Sequence, residues 1–218
     1  MARYHDRIRE VKGLGSVDFI KVKIDGMFVS LRPIDESDET VRLLTEWRKK
    51  YWHWFATKFE VTEDRTRKWL RDEVIDNSDK ILFIIILENK KIGQCGIFRY
   101  DEINNSAEID NILRGVRGSY PGVMEKVEKS VLKWMFEDLK LSKVQLRVFS
   151  DNYKAINLYE RCKMLTVGTI PVKRIFTQDG WRWEETRLQS ENDYAERYFN
   201  IMEIRKEDYL SEKKFFEL

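Results

Sequence analysis

The run Ile-Leu-Phe-Ile-Ile-Ile-Leu at Ile81–Leu87 restricts the fold more than any other stretch of this chain. It is apolar at every position and bounded by polar residues on both sides. A membrane-crossing helix needs about 20 apolar residues, so the run is far too short to span a bilayer and reads as a strand. Successive side chains of a strand point to opposite faces. A strand that is apolar on both faces belongs inside a sheet covered on both sides.

The flanking segments supply the rest of such a sheet. Val17–Ile34 alternates and turns at Asp25-Gly26, a hairpin signal. Asp and Ser caps open Asp35–Lys50, a helical pattern with Val41, Leu44, Trp47 and Arg48 on one side. Tyr51–Glu60 reads as an aromatic-rich connection. Thr62 caps a second helix whose stripe is Trp69, Leu70 and Val74. Lys80–Asp101 holds two strands joined at Glu88–Lys91, and Ser106–Gly115 a third strand. A long helix runs from Pro121 to about Leu139, with Val123, Val127, Val131 and Trp134 at helical spacing. Lys143–Ser150 is a strand, residues 152–163 a helix, and Thr166–Gly180 and Arg197–Lys206 are closing strands around a polar, aromatic insertion at Trp181–Glu196.

This order predicts an α/β (α+β) fold with a mixed, mostly antiparallel central sheet flanked by helices. A parallel crossover fits residues 107–149. The domain is expected over 27–206, after an extension or hairpin at 1–26 and before a tail at 207–218.

Composition narrows the function. Lys and Arg total 40 against 38 Asp and Glu, which argues against a nucleic-acid binder that works by phosphate attraction. Two histidines, with Cys95 and Cys162 lacking ligand spacing, point away from metal chemistry. Both cysteines are expected to be buried apolar residues. The N-terminal residues lack the apolar core of a signal peptide, and no membrane span is expected. A cytoplasmic protein is the expectation, as a monomer or homodimer.

Four stretches carry chemistry. In Arg114–Met124, a loop opens the long helix. Unpaired amides and the helix dipole at such a terminus suit a pyrophosphate, and Gly122 permits close backbone approach. In "DNYKAINLYER", Tyr159 follows Asn152 by seven residues, two helical turns, so the two project from one face. In "AEIDN", the period of two puts Glu108 and Asp110 on one strand face. In "EWRKKYWHWF", Arg48 suits a phosphate or carboxylate, Trp52 and Trp54 can stack on a planar or sugar face, and His53 is a candidate base. Trp181 and Trp183 share one face of a hairpin.

Together these stretches resemble the GNAT superfamily of acyl-CoA-dependent N-acyltransferases, over roughly residues 29–164. Within it the chain is most similar to the ribosomal-protein and amino-sugar-nucleotide acetyltransferase branches. The resemblance implies a splayed strand pair that takes acetyl-CoA. Leu113, Arg114, Arg117, Gly118, Ser119, Tyr120, Gly122, Val123 and Met124 then surround its pyrophosphate. Ser119 replaces the family's Gln or Arg and Met124 its Gly or Ala, with Arg114 or Arg117 supplying charge. "N-x-x-A-x-x-x-Y" assigns the pantetheine arm to Asn152 and Ala155, and the proton for the leaving thiolate to Tyr159. Glu108, in preference to Asp110, is the implied base, and a backbone amide within Asn111–Leu113 stabilises the oxyanion. The acceptor site falls to Arg48, Trp52, His53, Trp54 and Trp181. The implied acceptor is a small-molecule primary amine, a nucleotide-linked deoxyamino sugar for surface polysaccharide first. A protein N-terminal amine, or a non-catalytic acyl-CoA-binding module, are the alternatives.

Overall fold

The computed structural model describes residues 4–24, 26–118, 120–187 and 194–217. Ile81–Leu87 forms β4, buried along its whole length. Its odd-numbered side chains join one apolar cluster and its even-numbered ones a second. The first cluster lies under α1 (Tyr4–Gly13), α4 (Val123–Glu137) and α5 (Tyr153–Arg161), and the second under α2 (Asp38–Lys50) and α3 (Glu63–Leu70). A strand apolar on both faces is thus covered on both sides, as the pattern requires.

Around β4 the chain builds a ten-stranded sheet. The strands are β1 (Ile20–Ile24), β2 (Met27–Pro33), β3 (Thr57–Phe59), β4, β5 (Lys90–Asp101), β6 (Ser106–Arg114), β7 (Lys143–Phe149), β8 (Leu165–Thr177), β9 (Gly180–Glu185) and β10 (Arg197–Arg205). Their spatial order is β1-β2-β4-β5-β6-β7-β10-β8-β9-β3. Every pairing is antiparallel except β6 with β7. That pair keeps register only at Ser106–Glu108 against Lys143–Gln145. Beyond it β6 turns on a bulge, where Asp110 to Leu113 oppose Gly96 to Gln94 and Asn111 takes φ 54°. The two strands part there.

Several segments differ from the sequence expectation. Helix α4 starts at Val123 with Gly122 as N-cap at φ 80°, so Pro121 precedes the helix. A left-handed cap suits glycine and moves the boundary past proline. Thr57–Phe59, read as connection, is an edge strand, too short to show a period. Gly180–Glu185, the start of the expected insertion, is β9, paired with both β8 and β3. Asp25 of the expected turn lies outside the described residues, while Gly26 takes φ 88° between β1 and β2.

The extensions at both ends are packed. Tyr4, Ile8 and Val11 of α1 enter the first cluster, with Tyr4 stacked on Tyr100 at 3.9 Å. The Lys12 ammonium donates to the carbonyls of Val74, Ile75 and Asn77, closing the turn of helix after α3. At the other end α6 (Lys206–Ser211) buries Tyr209, which stacks on Phe136 at 4.8 Å and donates to Glu137 at 2.8 Å.

Among the buried polar residues, one carboxylate departs furthest from the apolar rule. Glu128 on α4 is fully buried, and neither carboxylate oxygen has a hydrogen-bond partner among the described residues. The adjacent Lys129 is taken by Glu125 at 2.9 Å. Burial therefore raises the Glu128 carboxyl from 4.5 to about 8, and it is held as the neutral acid. The folded chain keeps a proton that the unfolded chain releases above about pH 4.3. Stability attributable to this group is therefore full below that point and lost as pH rises toward about 8. Glu128→Gln should remove that component, so the fall in melting temperature between pH 5 and pH 8 becomes shallower than in the wild type.

Candidate active site

The parting of β6 and β7 opens a cleft of about 280 Å³. Tyr159, Ala155 and Asn152 line one wall, and Ile109–Leu113 of β6 another. On the α2 and α3 side of the sheet lies a second cavity of about 390 Å³, lined by Arg48, Phe59, Trp69 and Arg99 among others. Asp110, Asn111 and Leu113, at the β6 bulge, line both. The bulge is therefore where contents of the two spaces can meet.

Tyr159 is 7% exposed, and its hydroxyl makes no hydrogen bond among the described residues. Burial raises its pKa well above the ordinary value, reinforced by Glu128 and Asp110. A phenol held so firmly protonated is a donor rather than a base. Asn152 caps α5, its Oδ1 accepting from Ala155 N at 3.3 Å. Its amide N–H groups remain for other partners.

Glu108 and Asp110 share a strand face but not an environment. Glu108 is gripped by Arg99 at 2.6 Å and Arg147 at 3.2 Å, and lines neither cavity. Arg147 also pairs with Glu185. Asp110 meets Arg99 at 3.3 Å and accepts from Asn111 N at 2.6 Å. Burial raises its pKa, outweighing the pull of Arg99. Of the two, Asp110 has the access and the basicity that proton acceptance needs. The Asn111 amide, expected among oxyanion donors, is committed to Asp110.

The loop before α4 presents a helix terminus with no side-chain cap at Gly122, leaving first-turn amides for an anion. Glu125 in that turn is neutralised by Lys129 and Arg161. The Arg114 guanidinium donates to the carbonyls of Val116, Gly118 and Tyr120, which gathers the loop around one charge. Arg117 and Gly118 are exposed. Tyr120 turns its hydroxyl to Glu88 at 3.0 Å. Val123 is fully buried and Met124 packs on the core, so each offers only backbone to a ligand. Ser119 lies outside the described residues. Gly115 has no room for a side chain, since a Cβ would fall 2.0 Å from the Trp47 ring.

The expected acceptor residues scatter. Arg48 lines the larger cavity and Trp54 the cleft. Trp52, 54% exposed under Lys58, lines neither cavity. His53 is exposed, wedged edge-on between Trp52 and Trp54, and also lines neither. Trp181 lines neither cavity, and Trp183, two residues on, lines the cleft instead, with a buried indole N–H that has no partner among the described residues. Sequence reasoning missed Arg99, Arg147, Glu128 and Arg197. Arg197 covers the Phe149 ring at 3.5 Å and pairs with Asp151 at 2.7 Å. Nothing local marks any of these four. Cys95 and Cys162 are buried, and burial raises both thiols.

Residues 29–165 match the family profile described as the acetyltransferase (GNAT) domain. The chain belongs to this family. It is an acetyl-CoA-dependent N-acetyltransferase, and the uncapped α4 terminus and the open cleft fit that cofactor. A curated relative, the spermidine N(1)-acetyltransferase of Vibrio cholerae, is 24% identical over 141 residues, 64% of this chain and 80% of its own length. A structure of Vibrio cholerae spermidine N-acetyltransferase with CoA and spermine superposes with TM-score 0.64 at 19% identity, covering 84% of this chain and 98% of that one. A dodecameric structure of the Vibrio cholerae enzyme gives TM-score 0.61 at 19% identity over 84% of this chain and 96% of that one. These relatives are polyamine acetyltransferases by name, a different branch from the two expected. At this identity the superpositions speak for the fold.

Arg114→Ala removes three donors that hold the loop, together with its nearest charge. CoA affinity, measured by titration calorimetry, should fall about tenfold, the equivalent of about 1.4 kcal/mol, with the melting temperature of the free protein little changed.

Proposed function

We propose that this acetyltransferase acylates the primary amine of a small molecule that enters through the larger cavity and meets the thioester at the β6 bulge. The observation that carries this reading is the meeting of two cavities at Asp110, with Tyr159 on the wall of one of them. When bound, acetyl-CoA supplies the activated acetyl group. The first-turn amides of α4, with Arg114 beside them, would hold its pyrophosphate, and Asn152 and Ala155 would border its amide-bearing arm. Asp110 would take one proton from the incoming ammonium; as the C–N bond forms and the C–S bond breaks, the Tyr159 hydroxyl would give a proton to the sulfur and recover one from the acylated nitrogen. Glu108, neutralised by two arginines, orients Arg99 and Arg147 instead. Holding amine and thioester at one point removes much of the entropic barrier, so no enzyme-bound acyl group is required. A complete proton donor and acceptor also favours an enzyme over a binding module.

Two acceptor readings have specific support. A nucleotide-linked amino sugar, for surface polysaccharide, is favoured by Phe55, Phe59 and Trp69 as aromatic surfaces beside guanidinium groups in the larger cavity. A polyamine is favoured by the names of the relatives. A protein N-terminus finds no comparable support.

The test is thiol release from acetyl-CoA with amines of both classes. Tyr159→Phe should lower kcat about 10²-fold or more with CoA affinity kept. An unchanged kcat removes Tyr159 as the acid. Wild-type kcat/KM should rise with pH through the elevated Asp110 pKa. Asp110→Asn should lose that limb and most of the rate, whereas Glu108→Gln should keep the limb. The reverse pattern would transfer the base to Glu108.

A further inference from the structure

We infer that Arg48 is an anchor for an oxyanion on the acceptor, so that the molecule acetylated carries a phosphate or carboxylate group as well as its amine. The inference rests on the acetyltransferase reading and names the acceptor class of that same site.

The larger cavity has four cations in its lining, Arg48, Arg65, Lys80 and Arg99, against one carboxylate, Asp110. Three of the cations are already answered. Arg65 pairs with Asp179 at 3.1 Å, Lys80 with Glu73 at 2.7 Å, and Arg99 with Glu108 at 2.6 Å. Arg48 is different, for among the described residues no carboxylate pairs with it. Its guanidinium lies over Phe55 at 4.3 Å and Phe59 at 4.7 Å, and gives one hydrogen bond, to the Thr57 carbonyl at 3.0 Å. A guanidinium carries five N–H donors in a planar fork, so most of its donors are left to whatever fills the cavity.

The energetics agree with the geometry. Burial alone lowers the Arg48 pKa to about 10, so the charge is desolvated without compensation yet still present at neutral pH. Burial, Arg48 and Arg197 together lower nearby Lys58 to about 8, which marks a region of net positive potential. An oxyanion entering here gains a fork-shaped partner already immobilised by two aromatic rings. A polyamine entering here brings its ammonium groups against like charges, an arrangement that opposes binding. The cofactor does not supply the missing anion. Its phosphates belong at the α4 terminus, whereas Arg48 stands on α2 and lines only the other cavity.

The test uses the full chain saturated with CoA, so that the pyrophosphate cradle is filled. Matched amines are titrated by calorimetry: glucosamine against glucosamine 6-phosphate, butylamine against 4-aminobutanoate, and spermidine. At least one anionic member should bind tenfold or more tightly than its uncharged parent, and the pair that shows the preference identifies phosphate or carboxylate. Arg48→Met, which keeps the packing on Phe55 and Phe59, should reduce that preference below threefold, and Arg48→Lys should leave an intermediate value. The inference is overturned if neither anionic amine exceeds its parent, if spermidine binds most tightly, or if the preference survives in a folded Arg48→Met. Should that variant fail to fold, the wild-type pairs and Arg48→Lys still decide. Thiol release from acetyl-CoA with the same amines tests the reaction separately. An anion preference with no thiol release from any amine would overturn the small-molecule acceptor reading of this cavity and leave the oxyanion site standing.

Discussion

Two parallel strands that stay hydrogen bonded for three positions and then separate make everything else at this site possible. β6 and β7 are paired at Ser106–Glu108, and past Glu108 each finds partners only on its outer side. A continuous ladder would bury both backbones and close the sheet. The bulge at Asn111 bends β6 away, so a gap remains in the middle of the sheet rather than at an exposed edge. Asn152, Ala155 and Tyr159 from α5, together with Trp54 and Trp183, line the gap.

The electrostatics of the site follow from where charges fall relative to that gap. Glu108 is the last residue of β6 paired with β7, close enough to that strand to be seized by Arg147. Asp110 lies two residues on, past the end of pairing, and keeps access to both cavities. Two carboxylates of one sequence motif thus meet different surroundings, one neutralised and one raised in basicity. Glu128, buried behind Tyr159, adds a neutral acid whose ionisation would oppose that of the phenol. Such pairs of groups with separated pKa values are what general acid–base chemistry requires.

Much of the architecture was legible along the chain. The apolar run at Ile81–Leu87, the hairpin before it and the spacing of Val123, Val127 and Val131 each report a local period set by burial of a face. Asn152 and Tyr159, two turns apart, were readable for the same reason. β3 and β9 were not, because a three-residue strand shows no period and β9 is held by pairing rather than by an apolar face. Helix α1 was missed since Tyr4, Ile8 and Val11 make a narrow stripe in a polar segment. Trp181 and Trp183 share one period, so the sequence does not distinguish them, yet Trp183 lines the cleft and Trp181 does not.

By itself the sequence determined a sheet covered on both faces, a helix terminus ready for an anion and a helix presenting Asn152 and Tyr159 together. These depend on periodicity and on backbone groups, which neighbouring residues control. Tertiary structure alone decided which carboxylate is open, that Arg48 in the larger cavity has no carboxylate partner among the described residues, and which acid is buried. Those properties are set by charges from segments far apart in the chain, Arg99 on β5, Arg147 on β7 and Glu185 on β9, and Coulomb and desolvation energies depend on distance in space rather than on separation in sequence.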